Sequence, residues 1–125
     1  MDSVFLLEDD PDLAKTLARL ITVLKKVHCI FAPGVDEMNK IGAEVLSSSL
    51  CLLDINLGPA KASGIDAYHW LKQNNYRGKI VFLTGHASEH PLVKEASLLG
   101  GVEILNKPVD IPILERVIDE RRSGN

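Results

Sequence analysis

The sequence predicts an α/β fold, a doubly wound parallel sheet of five strands with five helices on its two faces. Three observations predict it. Short apolar runs alternate with stretches of helical periodicity five times along the 125 residues, the pattern of a parallel sheet with right-handed crossovers. The runs ending at Leu7, Asp54 and Thr84 are nearly continuous in apolar residues, as strands buried on both faces require. Polar residues and turn formers close these runs, and the C-terminal tips of such strands are where an open parallel sheet carries its site.

Val4–Leu7 is the first strand and stops at Glu8-Asp9-Asp10. Asp10 as N-cap and Pro11 at the first helical position start a helix with Leu13, Leu17, Leu20, Ile21 and Leu24 at helical spacing. Structure thus accounts for Asp10 and leaves Glu8 and Asp9 unexplained. His28–Ala32 is a short strand ended by Pro33-Gly34, and one weak helix follows with Val35, Met38, Ile41 and Val45 on one face. Leu50–Asp54 is the third strand, and the loop 57–63 leads to a helix that starts near Gly64 and carries Ala67, Tyr68 and Leu71. That helix ends around Asn74-Asn75. Lys79–Thr84 is the fourth strand, and Ser88 is placed to cap the helix carrying Leu92, Ala96 and Leu99. Gly100-Gly101 stops this helix before a last strand, Val102–Leu105. Asp110 caps the final helix, with Leu114, Val117 and Ile118 inward and Arg121 and Arg122 at its negative end.

The most apolar strands should be central and the two shorter ones should lie at the edges, which gives the order 2-1-3-4-5, the flavodoxin-like arrangement. Cys29 and Cys51 then sit on strands separated by the first, roughly 10 Å apart at ~4.8 Å per strand. A disulfide needs its Cα atoms within about 7 Å, so both thiols should be free. The chain reads as one domain over residues 1–122, with 123–125 a tail or truncated linker. The net charge of −3 and the lack of a basic stripe argue against direct nucleic-acid binding. No apolar run approaches the ~20 residues of a membrane span, and no signal peptide is expected, since acids follow the first apolar run at once. A cytoplasmic location is the expectation.

In the order 2-1-3-4-5 the tips gather Glu8, Asp9, Asp54, Thr84 and Lys107 beside one edge of the sheet. Asp54 alone could be a turn cap. Clustered carboxylates repel, so such a group should raise its pKa values or bind a cation. Oxygen ligands without His or Cys favour a hard ion, Mg²⁺ first, with Mn²⁺ as a substitute. A lysine and a threonine added to that set suit a phosphoryl group held between cations, with a carboxylate as nucleophile.

With these motifs the chain resembles the receiver domain of two-component response regulators over about residues 3 to 122. The carrying motifs are Leu7-Glu8-Asp9-Asp10-Pro11, Leu53-Asp54-Ile55-Asn56, Leu83-Thr84-Gly85-His86-Ala87 and Asn106-Lys107-Pro108, one after each of four strands. The resemblance implies that Asp54 is the phosphoacceptor. It implies that Asp9 ligates Mg²⁺ directly, Glu8 largely through water, and Asn56 by its backbone carbonyl. Thr84 and Lys107 would hold the phosphoryl oxygens, and the Lys107–Pro108 peptide would be cis. A bacterial histidine kinase or phosphotransfer protein would be the donor. The response would be read on the face made by the fourth helix, fifth strand and fifth helix, through a homodimer or a C-terminal output domain. Such a domain catalyses only its own phosphorylation and dephosphorylation.

Three features depart from the usual pattern. Ile104 stands three residues before the lysine, where Tyr or Phe is usual, so the resemblance does not carry over the aromatic switch, and backbone shifts or dimerisation are the alternative readout. The loop from Asp54 to Gly64 is about two residues longer than usual, with Lys61 and Ser63 near the site; it is a surface insertion or an altered partner surface. His86, two residues after Thr84, and Asn56 are candidates to tune the lifetime of the acyl phosphate. One alternative function is a receiver that works by unphosphorylated contacts. Another is a Mg²⁺-dependent phosphohydrolase with an aspartate nucleophile, which needs a second carboxylate where Asn56 stands. A third, a flavin-binding or structural module, lacks a phosphate cradle after the first strand.

Overall fold

The computed structural model describes residues 2–58, 62–85 and 90–121. Five parallel strands form one sheet in the order β2-β1-β3-β4-β5. They are β1 (Ser3–Leu7), β2 (His28–Ala32), β3 (Leu50–Asp54), β4 (Lys79–Thr84) and β5 (Glu103–Asn106). The helices are α1 (Pro11–Lys25), α2 (Val35–Lys40), α3 (Gly42–Ser47), α4 (Gly64–Gln73), α5 (Pro91–Ser97) and α6 (Ile111–Asp119).

Alternation along the central strands divides the core into two layers. Phe5, Leu7, Cys51, Leu53 and Phe82 face Met38 of α2, Val45 of α3, Leu71 of α4 and Ala96 of α5. Val4, Leu6, Leu50, Leu52, Val81 and Leu83 face Leu17 and Ile21 of α1 and Leu114 and Val117 of α6. With helices on both sides, β1 and β3 are buried at every position, which is why their sequences are continuous in apolar residues. The register sets Leu7 beside Leu53 and Asp54 beside Leu83, so the tips of β1, β3 and β4 end at nearly one level. Both cysteines are free and buried. Burial pushes the Cys29 thiol up to about 12 and that of Cys51 to about 11.

Four local expectations are corrected. The single weak helix after β2 is two short ones, broken at Ile41, whose φ of −113° and ψ of 33° leave the helical region. Gly42 follows, a poor helix former; a Cβ there would lie 3.2 Å from the Trp70 ring of α4. The cap of α5 is His90, whose Nδ1 accepts the Leu92 N–H at 3.2 Å, and Ser88 lies outside the described residues. The last strand runs Glu103–Asn106, one residue later than its apolar run. Asp110 occupies the N-cap of α6 without accepting a hydrogen bond from its first turn. Beyond that helix Arg121 donates to the Ile118 carbonyl at 2.7 Å, and Arg122 lies outside the described residues.

Candidate functional site

The C-terminal edge of the sheet holds three carboxylates and one ammonium. Glu8 follows β1 directly; its N–H donates to the Ala32 carbonyl of β2 at 3.1 Å, continuing the strand pairing by one residue. The Glu8 side chain is buried with both oxygens engaged. Oε1 accepts from Lys107 Nζ at 2.5 Å, and Oε2 accepts from the Asp10 N–H at 3.1 Å. Asp10 therefore has two tasks, since its own carboxylate also caps α1 by accepting from the Asp12 and Leu13 N–H groups. Asp54 ends β3, buried, and its Oδ2 accepts from Lys107 Nζ at 3.0 Å. Asp9, by contrast, is exposed.

Lys107 reaches both acids from the far side of the sheet. Its backbone N–H donates to the Thr84 carbonyl at 2.8 Å, which fixes the chain leaving β5 against the tip of β4, and the Lys107–Pro108 peptide is cis. Thr84 itself is buried at the end of β4. Asn56 folds its side chain back, its Oδ1 accepting the Gly58 N–H at 2.9 Å, and gives its own backbone N–H to Asp54. Ile104 stands apart from these groups, half-buried on β5 opposite Phe82. Lys61 and His86 lie outside the described residues. Ser63 caps α4, its hydroxyl accepting the Ile65 N–H at 3.1 Å while Asp66 accepts the Ser63 N–H at 2.7 Å.

Burial governs the electrostatics. Burial pushes the Asp54 pKa up; contact with Lys107 opposes this, Asp9 adds a like charge, and the result is a raised value. Glu8 is likewise raised by burial and by the Asp54 charge, against the pull of Lys107 and the Asp10 N–H. Burial disfavours the charge on Lys107, but its hydrogen bonds to Glu8 and Asp54 outweigh that and hold its pKa above the ordinary lysine value.

Three carboxylates against one ammonium leave an excess of negative charge. Glu8, Asp9 and Asp54 each offer an oxygen, and these atoms lie within 4.8 Å of one another. A donor set made only of oxygens at that spacing fits a hard divalent cation, Mg²⁺ before the softer metals.

One residue of the site escaped the reading of the sequence. Gly64, taken there only as a helix start, brings α4 against the end of β3: a Cβ on it would lie 2.3 Å from the Asp54 carbonyl oxygen. Its N–H donates to the Ile55 carbonyl at 2.9 Å. A glycine at the first position of a helix was the sole signal, and it does not distinguish close approach from a turn.

Comparison with known proteins agrees with this arrangement. The family model described as the response regulator receiver domain matches residues 4–119, and the chain belongs to that family. No curated protein matches the chain significantly. Among solved structures it is similar to the signal receiver domain of a DNA-binding response regulator from Colwellia psychrerythraea 34H, with 20% identity and a TM-score of 0.78 over 95% of this chain and 96% of that one. The receiver domain of a putative LuxO repressor protein from Vibrio parahaemolyticus gives 22% identity and 0.76, over 94% and 86%. A receiver domain protein from Clostridium thermocellum gives 20% and 0.77, over 95% and 92%. At these identities the structures speak for the fold.

Proposed function

We propose that this receiver domain, residues 1–122 with 123–125 a tail or truncated linker, takes a phosphoryl group from the phosphohistidine of a histidine kinase or phosphotransfer protein onto Asp54. One observation carries the reading: Lys107 Nζ lies 3.0 Å from Asp54 Oδ2, held there by Glu8, in a pocket that also offers Asp9. An oxygen of Asp54 attacks phosphorus, the P–N bond breaks, and the imidazole leaves with its electron pair. The ammonium of Lys107 and the Thr84 hydroxyl bind oxygens of the transferring group, as stabilising developing charge requires. Asp9 and Asp54 would hold Mg²⁺ directly, Glu8 through water and Asn56 by its backbone carbonyl. When bound, the ion supplies positive charge against the phosphoryl oxygens. Asn56 and His86 would tune the lifetime of the product.

The half-buried Ile104 at the place of the usual aromatic favours a readout by backbone movement at Thr84–Lys107, coupled through their 2.8 Å hydrogen bond. The surface of α5, β5 and α6 would pass the change to a second copy or to an output domain. No helix among the described residues is long and apolar enough to cross a membrane, and a cytoplasmic location is part of the proposal. Incubation with acetyl phosphate and Mg²⁺ followed by intact-mass measurement tests the reading. One phosphoryl adduct on wild type and none on Asp54→Asn is the expected result. Continuous phosphate release without an adduct would point to a hydrolase, and no adduct at all to a receiver working unphosphorylated.

A further inference from the structure

The two edges of the sheet are not equally guarded. β5 is four residues long and carries the charged Glu103, and short, charged strands are how proteins blunt an edge. β2 at the other edge, His28–Ala32, has neither lysine nor proline and pairs with β1 without a bulge. No strand covers its outer side among the described residues. The Ala32 carbonyl accepts from the Glu8 N–H on the β1 side, so alternation along the strand turns the N–H and C=O groups of Cys29 and Phe31 to the open edge. Phe31 is 40% exposed, whereas Phe5 and Phe82 in the same sheet are fully buried; on α1, which covers this face, Val23 and Leu24 are 65% and 42% exposed. We propose that the β2 edge pairs with the β2 edge of a second copy, antiparallel about a two-fold axis at Ile30, so that two five-stranded sheets join into one.

Register and charge choose a second copy as the occupant. About that axis Cys29 of each copy exchanges both backbone hydrogen bonds with Phe31 of the other, and the two Ile30 residues face each other as a non-hydrogen-bonded pair. Pro33, which has no N–H, ends the ladder. Exposed Lys26 stands before β2, and exposed Asp36 and Glu37 follow it. Antiparallel pairing sets Lys26 of each copy opposite Gly34 of the other, beside the turn into Asp36 and Glu37, so unlike charges meet at both ends of the join. The helices agree with this. Leu17 and Ile21 of α1 share a core with Leu6 of β1 and Cys29 of β2; seated over those two strands, the α1 helices of the two copies lie two strand spacings apart, roughly 10 Å at ~4.8 Å per strand. That is a helix-packing distance, and it brings the exposed Phe31 and Leu24 of both copies together. The contact is isologous and closed. It lies at the edge of the sheet opposite α5, β5 and α6, and needs neither a metal ion nor a phosphoryl group.

Sedimentation equilibrium of the whole chain, in chelator and without a phosphoryl donor, reads this dimer apart from any phosphorylation. Wild type should dimerise, and a wild type that stays monomeric at about 1 mM overturns the proposal. Phe31→Lys, which sets an ammonium in the join, should weaken the dimer at least about tenfold. Lys26→Glu should weaken it less, and adding Asp36→Lys to that variant should restore it. A dimer lost in Ile113→Lys of α6 but kept in Phe31→Lys belongs to the opposite edge and also overturns the proposal. Should Phe31→Lys not fold, Ile30→Cys supplies the second measurement. Across the axis its Cα atoms would stand about 4.5 Å apart, within reach of a disulfide. Mild oxidation should then give a covalent dimer by intact mass, while Leu98→Cys, at a position 85% exposed, stays monomeric. An Ile30→Cys chain that remains monomeric, or that links no faster than Leu98→Cys, overturns the pairing.

Discussion

Two buried carboxylates share one ammonium at Lys107, so what a substitution does to stability depends on which charge it removes. Asp54→Asn takes away the carboxylate that burial disfavours and leaves Glu8 and Lys107 as a matched pair. Without metal the variant should be more stable than wild type by on the order of 1 kcal/mol. Lys107→Ala does the reverse, leaving Glu8 and Asp54 buried with no counter-charge, and should cost about 3 kcal/mol or more. Urea denaturation of the two variants beside wild type checks the pair. Destabilisation by Asp54→Asn would mean that the carboxylate is well solvated or well paired, contrary to the 4% exposure of the residue and the competition for one lysine.

Among the elements, the strands were legible where tertiary context and local pattern agreed. Leu50–Asp54 is buried at all positions and reads as an apolar run; its neighbours in the sheet follow from the same burial. The break at Ile41 was not legible, because Val35, Met38, Ile41 and Val45 keep a helical period across it, and the Trp70 ring that packs on Gly42 comes from α4. His90 was passed over as a cap since Ser is the commoner residue there. The polar tips were legible as a group once the strand order was inferred. Which oxygen of Glu8 meets Lys107, and that Asp10 holds the other, are side-chain contacts that no spacing encodes. Gly64 belongs with these. Gly64→Ala gains helix propensity, at most about 1 kcal/mol, but drives a methyl into the Asp54 carbonyl, and overpacking of that kind costs about 1–3 kcal/mol. The variant should be less stable by urea midpoint and slower to form the acetyl-phosphate adduct. A midpoint at or above wild type would show that α4 moves aside freely.

Taken as a whole, the molecule has carboxylates of opposite behaviour at the two edges of its sheet. At the N-terminal edge the Arg121 guanidinium holds Asp2 below its ordinary value of 3.8, and Arg116 holds Glu103 below 4.5. These groups add stability above their ordinary values, and it is lost as pH falls through their lowered ones. At the C-terminal edge Asp54 and Glu8 are raised above 3.8 and 4.5. There the folded state binds more protons than the unfolded chain between the ordinary and the raised values, so stability falls as pH climbs through that window. Both edges thus favour a maximum near the ordinary carboxylate range, followed by a decline that belongs to the site. Subtracting the pH profile of Asp54→Asn from that of wild type isolates the part due to Asp54. The difference in melting temperature, measured in chelator, should be smallest below 3.8 and should widen in favour of the variant as pH rises through the raised value of Asp54. Replacing chelator with Mg²⁺ should narrow the gap above that window and leave it unchanged below, because a protonated carboxyl is no ligand. A difference that is flat with pH would mean that Asp54 titrates alike in the folded and unfolded chain. The strand tip would then not be the desolvated, lysine-held pocket on which the proposed phosphoryl capture at Asp54 depends.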